Sequence, residues 1–250
     1  MKDLQIDGTQ AVLTDKSQSS VAKYRKIMVG DVGWLGFVKY EIITGFFSGW
    51  PGAMGMLLRR MFFPCLFKKC GKGVIFSHDI MVRHPHRISI GNNVVIGSRC
   101  TLDAKGARGD GIIIGDNVFI SEGTIITMAD GTIVLDDGCN IGCYCRIGTF
   151  GYTRIGKKAL LAAFCYIVGA YHETDRTDIP ILDQPNRTKG GAEVGDGCWL
   201  GTRVTVLDGI KIGNDSIVGA HSLVTKDLSE FSVAAGIPAR RISSRKESLI

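Results

Sequence analysis

Several absences narrow the reading of this chain first. No CxxC pair occurs among its eight cysteines, although Cys143 and Cys145 stand close together, so the commonest metal and redox spacing is missing. Residues 1–29 are polar and mixed in charge, without the continuous apolar core of a signal peptide. Free thiols and no signal together predict a cytoplasmic protein. The longest charge-free run, 42–58, is 17 residues and is broken by Gly45, Gly49, Pro51, Gly52 and Gly55. A spanning helix needs about 20 apolar residues. The net charge of +6 is spread along the chain with no nucleic-acid motif beside it, so no nucleic-acid partner is expected. His78, His84 and His86 match no ligand spacing and have few carboxylates near them, so no metal is expected.

What is present is a repeat. In 194–224 an aliphatic residue falls at every sixth position: Val194, Leu200, Val206, Ile212, Val218 and Val224. Three hexads make one triangular coil of short parallel strands, and stacked coils make a parallel β-helix. The register extends back through Ile90, Ile96, Leu102; Ile114, Ile120, Ile126; Leu135, Ile141, Ile147; and Ile155, Leu161, Ile167. Successive triads start 24, 21, 20, 39 and 18 residues apart, which predicts six coils and one insertion of 21 residues beyond the 18-residue coil. Ten of the eighteen residues following an anchor are Gly, which suits corners that need close approach or positive φ. Fourteen of the eighteen residues four after an anchor are small or are Val, as a narrow interior requires; Asp130, Tyr171, Ile210 and Leu228 are the exceptions. Cys100, Cys139, Cys145, Cys165 and Cys198 all fall in this inward slot and read as compact core residues.

The repeat argues for one domain with an N-terminal addition. The boundaries expected are a flexible tail over 1–31, an apolar helical cap over 32–75, the β-helix over 76–242 with a protruding loop at 171–193, and a C-terminal tail over 243–250. Pro51 suits a helix start with Ser48 before it as cap. The cap covers the open edge of the first coil. Trp34, Phe46, Phe47 and Trp50 beside Arg59, Arg60, Lys68 and Lys69 also suit peripheral membrane contact through 34–67, at the inner face of the membrane, and the two roles are compatible. The loop is rich in charged residues and opens on His172, with Glu173, Asp175 and Asp178 placed to orient an imidazole. Long loops in compact arrays tend to carry function.

VGDGCWLG from Val194, VGAHSLVTKD from Val218 and VAAGIPARR from Val233 carry a resemblance to the hexapeptide-repeat acyltransferases. The likeness is strongest to the sugar O-acetyltransferase branch related to galactoside, maltose and xenobiotic acetyltransferases, and it covers 90–242. The resemblance implies a homotrimer of left-handed prisms, active sites between neighbouring prisms and acetyl-CoA as donor. It implies catalysis at His172, with Glu173 as in the His-Glu pair of some members and Asp175 nearby. Trp199, Gly201, Gly219, Lys226, Pro238 and Arg240 match positions of the acyl-CoA site. His221 stands where a small residue is usual. The region before residue 90 looks closer to acetyltransferases of exopolysaccharide and colanic acid synthesis, and no acceptor-binding residue carries over.

The chemistry is consistent with that resemblance. A sugar hydroxyl is a poor nucleophile until its proton is being removed, and histidine titrates near neutral pH. Lys226 and Arg240 suit the phosphates of CoA. The expected activity is acetyl transfer to a hydroxyl of a saccharide or a surface-polysaccharide intermediate, small or lipid-linked. N-acylation of an amino sugar or sugar nucleotide is the alternative, using the same base. A metal-dependent lyase like the γ-type carbonic anhydrases, or a non-catalytic prism, is the third class; only His172 and His221 follow residue 86 to supply its histidines.

Overall fold

A computed structural model describes residue 12 and residues 15–106 and 108–247. The hexad anchors stack in three columns, one for each face of a parallel β-helix. On the first sheet Ile90 neighbours Ile114, followed by Leu135, Ile155, Val194 and Ile212. On the second, Ile96, Ile120, Ile141, Leu161, Leu200 and Val218 stack likewise. On the third the column is Leu102, Ile126, Ile147, Ile167, Val206 and Val224. Strands of only two to four residues cannot bury a core alone, so the prism is stable only as a stack.

The described residues form seven coils, the six expected from Ile90 onward and one before them. Lys69–Cys70, Ile75–Phe76 and Met81–Arg83 form a first coil in register with the second, pairing Cys70 with Ile90, Phe76 with Ile96 and Val82 with Leu102. Cys70, Phe76 and Val82 keep the six-residue spacing. Because two of the three are not aliphatic, this coil is easily read as part of the cap and lead-in.

The corners divide their work between two positions. Glycines directly after an anchor hold ordinary φ and serve close approach: a Cβ on Gly142 would lie 2.6 Å from the carbonyl carbon of Ala162 in the next coil. Positive φ falls two residues later, as at Arg99, Tyr144, Phe164, Arg203 and His221. The five inward cysteines are buried, and burial raises the Cys100 thiol to about 11 and that of Cys139 to about 12.

Among the described residues, α1 (Ser20–Met28), α2 (Trp34–Phe47) and α3 (Gly52–Phe62) precede the prism. The Ser19 hydroxyl accepts from Ala22 N and starts α1 inside the stretch expected as a tail; the rest of that expectation, at 1–11, 13 and 14, lies outside the described residues. Pro51 is the cap residue of α3, whereas Ser48 ends α2 and donates to Ile80 O at 3.2 Å. Arg59 is buried, correcting its reading as a surface cation. Its guanidinium donates to the carbonyls of Phe76 (2.9 Å), Phe47 (3.0 Å) and Trp50 (2.7 Å), fastening the turn between α2 and α3 onto the first coil. At the other end Ser232–Gly236 joins the second sheet, and Ala239–Ser244 pairs back on it where a tail was expected from residue 243. Residues 248–250 of that expected tail lie outside the described residues.

Candidate active site

The long insertion leaves the prism after the third strand of the fifth coil. Tyr171–His172 pairs antiparallel with Asn186–Arg187, so the loop is a hairpin whose base carries His172. Asp208, buried on the next coil, holds the returning arm: its carboxylate accepts from Thr188 Oγ1 (3.1 Å), Gly191 N (2.9 Å) and Lys189 N. Buried Gln184 braces the tip by donating to Arg176 O (2.8 Å) and accepting from Arg176 N (3.2 Å).

His172 is exposed at the rim of an open cleft of about 340 Å³, lined also by Lys105, Arg146, Thr149, Tyr166 and Asn186. Arg146 and Tyr166 sit directly before the anchors Ile147 and Ile167, in the outward slot of adjacent coils. Lys105 comes from a second insertion, 104–110, which Arg87 holds by donating to Arg108 O (2.7 Å) and Gly109 O (3.0 Å). Asp130 fastens that insertion by accepting from Arg108 N at 2.7 Å, as Asp208 does for the long loop. Two of the four large residues in the inward slot thus have an account: Asp130 anchors a loop, and Tyr171 opens one.

The expected acids have other partners or none near the imidazole. Glu173 accepts from Arg187 Nε across the hairpin, and Asp178 from Arg176 Nε at 3.0 Å. Asp175 is exposed. Among the described residues no hydrogen bond joins His172 to any of the three carboxylates.

The expected acyl-CoA positions lie elsewhere on the same chain. Trp199 is half-exposed on the second sheet, between Leu160 and Ile217 of the neighbouring coils. Gly201 and Gly219 open the corner between the second and third sheets; a Cβ on Gly201 would lie 2.6 Å from Ala220 N, and one on Gly219 3.1 Å from Ala235 Cβ. Pro238, after a cis peptide bond, turns the C-terminal hairpin, and Arg240 follows it opposite Ala235. Lys226, exposed, stands after the third sheet of the last coil, on the edge that carries His172 two coils away. None of the six lines the His172 cleft.

The other histidines are accounted for locally. His84 Nε2–H donates to Lys26 O (3.1 Å) and Ile27 O (3.2 Å) at the end of α1, and burial lowers its pKa, as it lowers that of His86. His78 contacts Asp79 at 2.9 Å. Among the described residues no three His, Cys, Asp or Glu side chains gather as a metal site, and His172 and His221 stand on different edges. The residues that sequence reasoning missed are Asn186, Arg187, Arg146, Tyr166 and Lys105. For Arg146 and Tyr166 the signal was their outward slot one before an anchor.

The hexapeptide family described as bacterial transferase hexapeptide (six repeats) matches residues 191–226, and the hexapeptide repeat of succinyl-transferase matches 87–128. A candidate lipopolysaccharide biosynthesis O-acetyl transferase of Escherichia coli K12 is 32% identical over 193 residues, covering 75% of this chain and 83% of its own. A candidate colanic acid biosynthesis acetyltransferase of the same organism is 31% identical over 138 residues, 55% and 72% of the two chains. A probable acetyltransferase of Mycobacterium tuberculosis is 32% identical over 135 residues; the match covers 54% of this chain but only 45% of that longer protein. Among solved structures, an N-acyltransferase of Bacillus cereus crystallised with dTDP-4-amino-4,6-dideoxyglucose and Coenzyme A superposes with a TM-score of 0.52 at 22% identity, covering 73% of this chain and 86% of its own. That likeness concerns the fold.

Proposed function

This chain belongs to the hexapeptide-repeat acyltransferases, whose fold is the left-handed β-helix, and we propose that it transfers an acetyl group from acetyl-CoA to a hydroxyl of a saccharide or surface-polysaccharide intermediate. The observation that carries this reading is His172, held by a hairpin at the rim of a cleft whose other polar groups, Thr149, Tyr166 and Asn186, suit a polyhydroxylated acceptor.

In this reading His172 accepts the proton of the acceptor hydroxyl as its oxygen attacks the thioester carbonyl. The carbon–sulfur bond then breaks, and His172 returns the proton to the leaving sulfur. The inward cysteines take no covalent part. Cys165 and Cys198 are buried, and their sulfhydryls donate inside the prism to Gly201 O (3.2 Å) and Gly213 O (3.1 Å).

The separation of His172 from Trp199 on one chain supports a site shared between prisms, within a homotrimer. The outward rows of the second and third sheets include exposed Phe119, Leu160, Trp199, Met81 and Tyr166. The first sheet instead shows Arg154 bound to Asp136 and Asp196, and Lys211 bound to Glu193, with Tyr152 exposed beside them. Trp199, Gly201, Gly219, Lys226, Pro238 and Arg240 would line the acetyl-CoA side of that site, Lys226 and Arg240 meeting phosphates.

The test is a screen of acceptor sugars with acetyl-CoA, read by thiol release, in the parent and His172→Ala proteins. Hydroxyl acceptors should release thiol with the parent protein and far more slowly with His172→Ala. Exclusive turnover of amino sugars would replace the O-transfer reading by N-transfer.

A further inference from the structure

The apolar segment ahead of the prism takes no part in the reaction proposed above. Helix α2 is apolar nearly all round. Its inner side packs Tyr40, Ile43 and the partly buried Phe37 and Phe47 into the core. Its outer side presents Trp34, Leu35, Val38, Ile42 and Phe46, within an arc of roughly 120° at 100° per residue, and Leu35 is 89% and Phe46 66% exposed. Helix α3 repeats the arrangement, with Arg59 inward and Met54, Leu57 and Met61 exposed. The Phe47 and Phe62 rings stack at 4.6 Å and tie the two helices together, and exposed Trp50 lies between them. A helix facing water carries a polar outer side; an apolar outer side of this extent marks a surface that something covers.

Charge identifies the cover. Residues 20–72 contain nine Lys and Arg against only Asp31 and Glu41, a net +7 in a chain of net +6, so the remaining residues together carry −1. The cations are spread in sequence, but their excess is not. Lys26, Lys39, Arg60, Lys68, Lys69 and Lys72 are exposed. A second copy of this surface would set like charge against like, whereas an anionic headgroup layer complements both its charge and its apolar side chains. Exposed Trp34 and Trp50 are of the residue type that settles at such an interface. No helix among the described residues is long and apolar enough to cross a membrane, so contact lies in the plane of the headgroups.

We propose that α2 and α3 dock this protein on an anionic lipid surface, with their exposed apolar side chains below the headgroups and the exposed lysines and arginines of residues 20–72 among them.

The test is flotation of the full chain with vesicles of phosphatidylcholine, with and without phosphatidylglycerol, at low and high salt. The parent protein should float with the anionic vesicles, less so in high salt. A Leu35→Ser, Phe46→Ser, Met61→Ser variant should lose flotation while keeping acetyl transfer in solution. An Arg60→Gln, Lys68→Gln, Lys69→Gln variant should bind roughly a hundredfold more weakly, as expected for three basic residues near an anionic surface. Absence of flotation, or flotation unchanged in both variants, overturns the proposal. So does light scattering that shows an assembly larger than a trimer collapsing in the serine variant, because the cover would then be a second copy. Acetyl transfer is scored separately, so failure of the docking and failure of the proposed reaction are distinguishable.

Discussion

His172 stands directly opposite Asn186 in the two-residue ladder at the base of the long loop, and Glu173, the next residue, turns to Arg187 across the same hairpin. The imidazole is therefore placed by backbone pairing and by the Asp208 anchor, and among the described residues no carboxylate is hydrogen-bonded to it. Its reach into the cleft depends on the hairpin staying closed.

Replacing His172 by Ala should lower turnover by roughly 10²- to 10⁴-fold, the range for a lost general base, with acetyl-CoA affinity near the parent value. Initial-rate kinetics should be sequential, with both substrates bound before transfer. Near-parental turnover in the variant, or an acetyl group trapped on Cys165 or Cys198, would reject this role.

Glu173→Gln weakens the clasp to Arg187 without touching the proposed base, His172. Turnover should fall by less than about tenfold, with the acceptor KM rising as the hairpin loosens. A loss as large as that of His172→Ala would mean that Glu173 orients the imidazole during the reaction.

The proposed sharing of one site between prisms is open to complementation. Trp199→Ala should weaken acetyl-CoA binding more than turnover, and mixed trimers of His172→Ala and Trp199→Ala chains should regain activity at limiting acetyl-CoA. If both residues served one site from one chain, the mixture would give no more than the sum of its parts.

Acid should loosen the cap. Burial holds His84 and His86 below the ordinary value of 6.5, so the folded protein keeps them neutral where the unfolded chain already binds protons. Their contribution to stability is complete above that value and is lost as pH falls through it toward the folded values. Thermal unfolding compared at pH about 7 and about 5.5 should show the loss. His84→Asn, which tolerates the left-handed φ of +51 at this position, should flatten the slope. An unchanged slope would remove His84 from the account.

The register of the prism was legible in the sequence. Period six is a local property, each anchor meets the same kind of neighbour above and below, and a stack of coils adds one nearest-neighbour contact at a time. So all eighteen anchors from Ile90 to Val224 occupy the columns that their spacing implies. The first coil escaped because Cys70 and Phe76 fill aliphatic slots with other side chains, and the glycine pattern marked close approach while the left-handed corners lay two residues further on.

Tertiary structure decided how residues far apart in the chain pair. It sent Arg59 inward to four backbone carbonyls, Glu173 to Arg187, and Lys105 from a short insertion to the rim of the His172 cleft. A charged side chain reaches whatever partner the fold brings within hydrogen-bond distance, and spacing along the chain carries no record of which one that is. Periodicity alone therefore specified the coils that hold His172, while the partners of the loop and the covered or exposed sides of α2 and α3 depended on packing between remote segments.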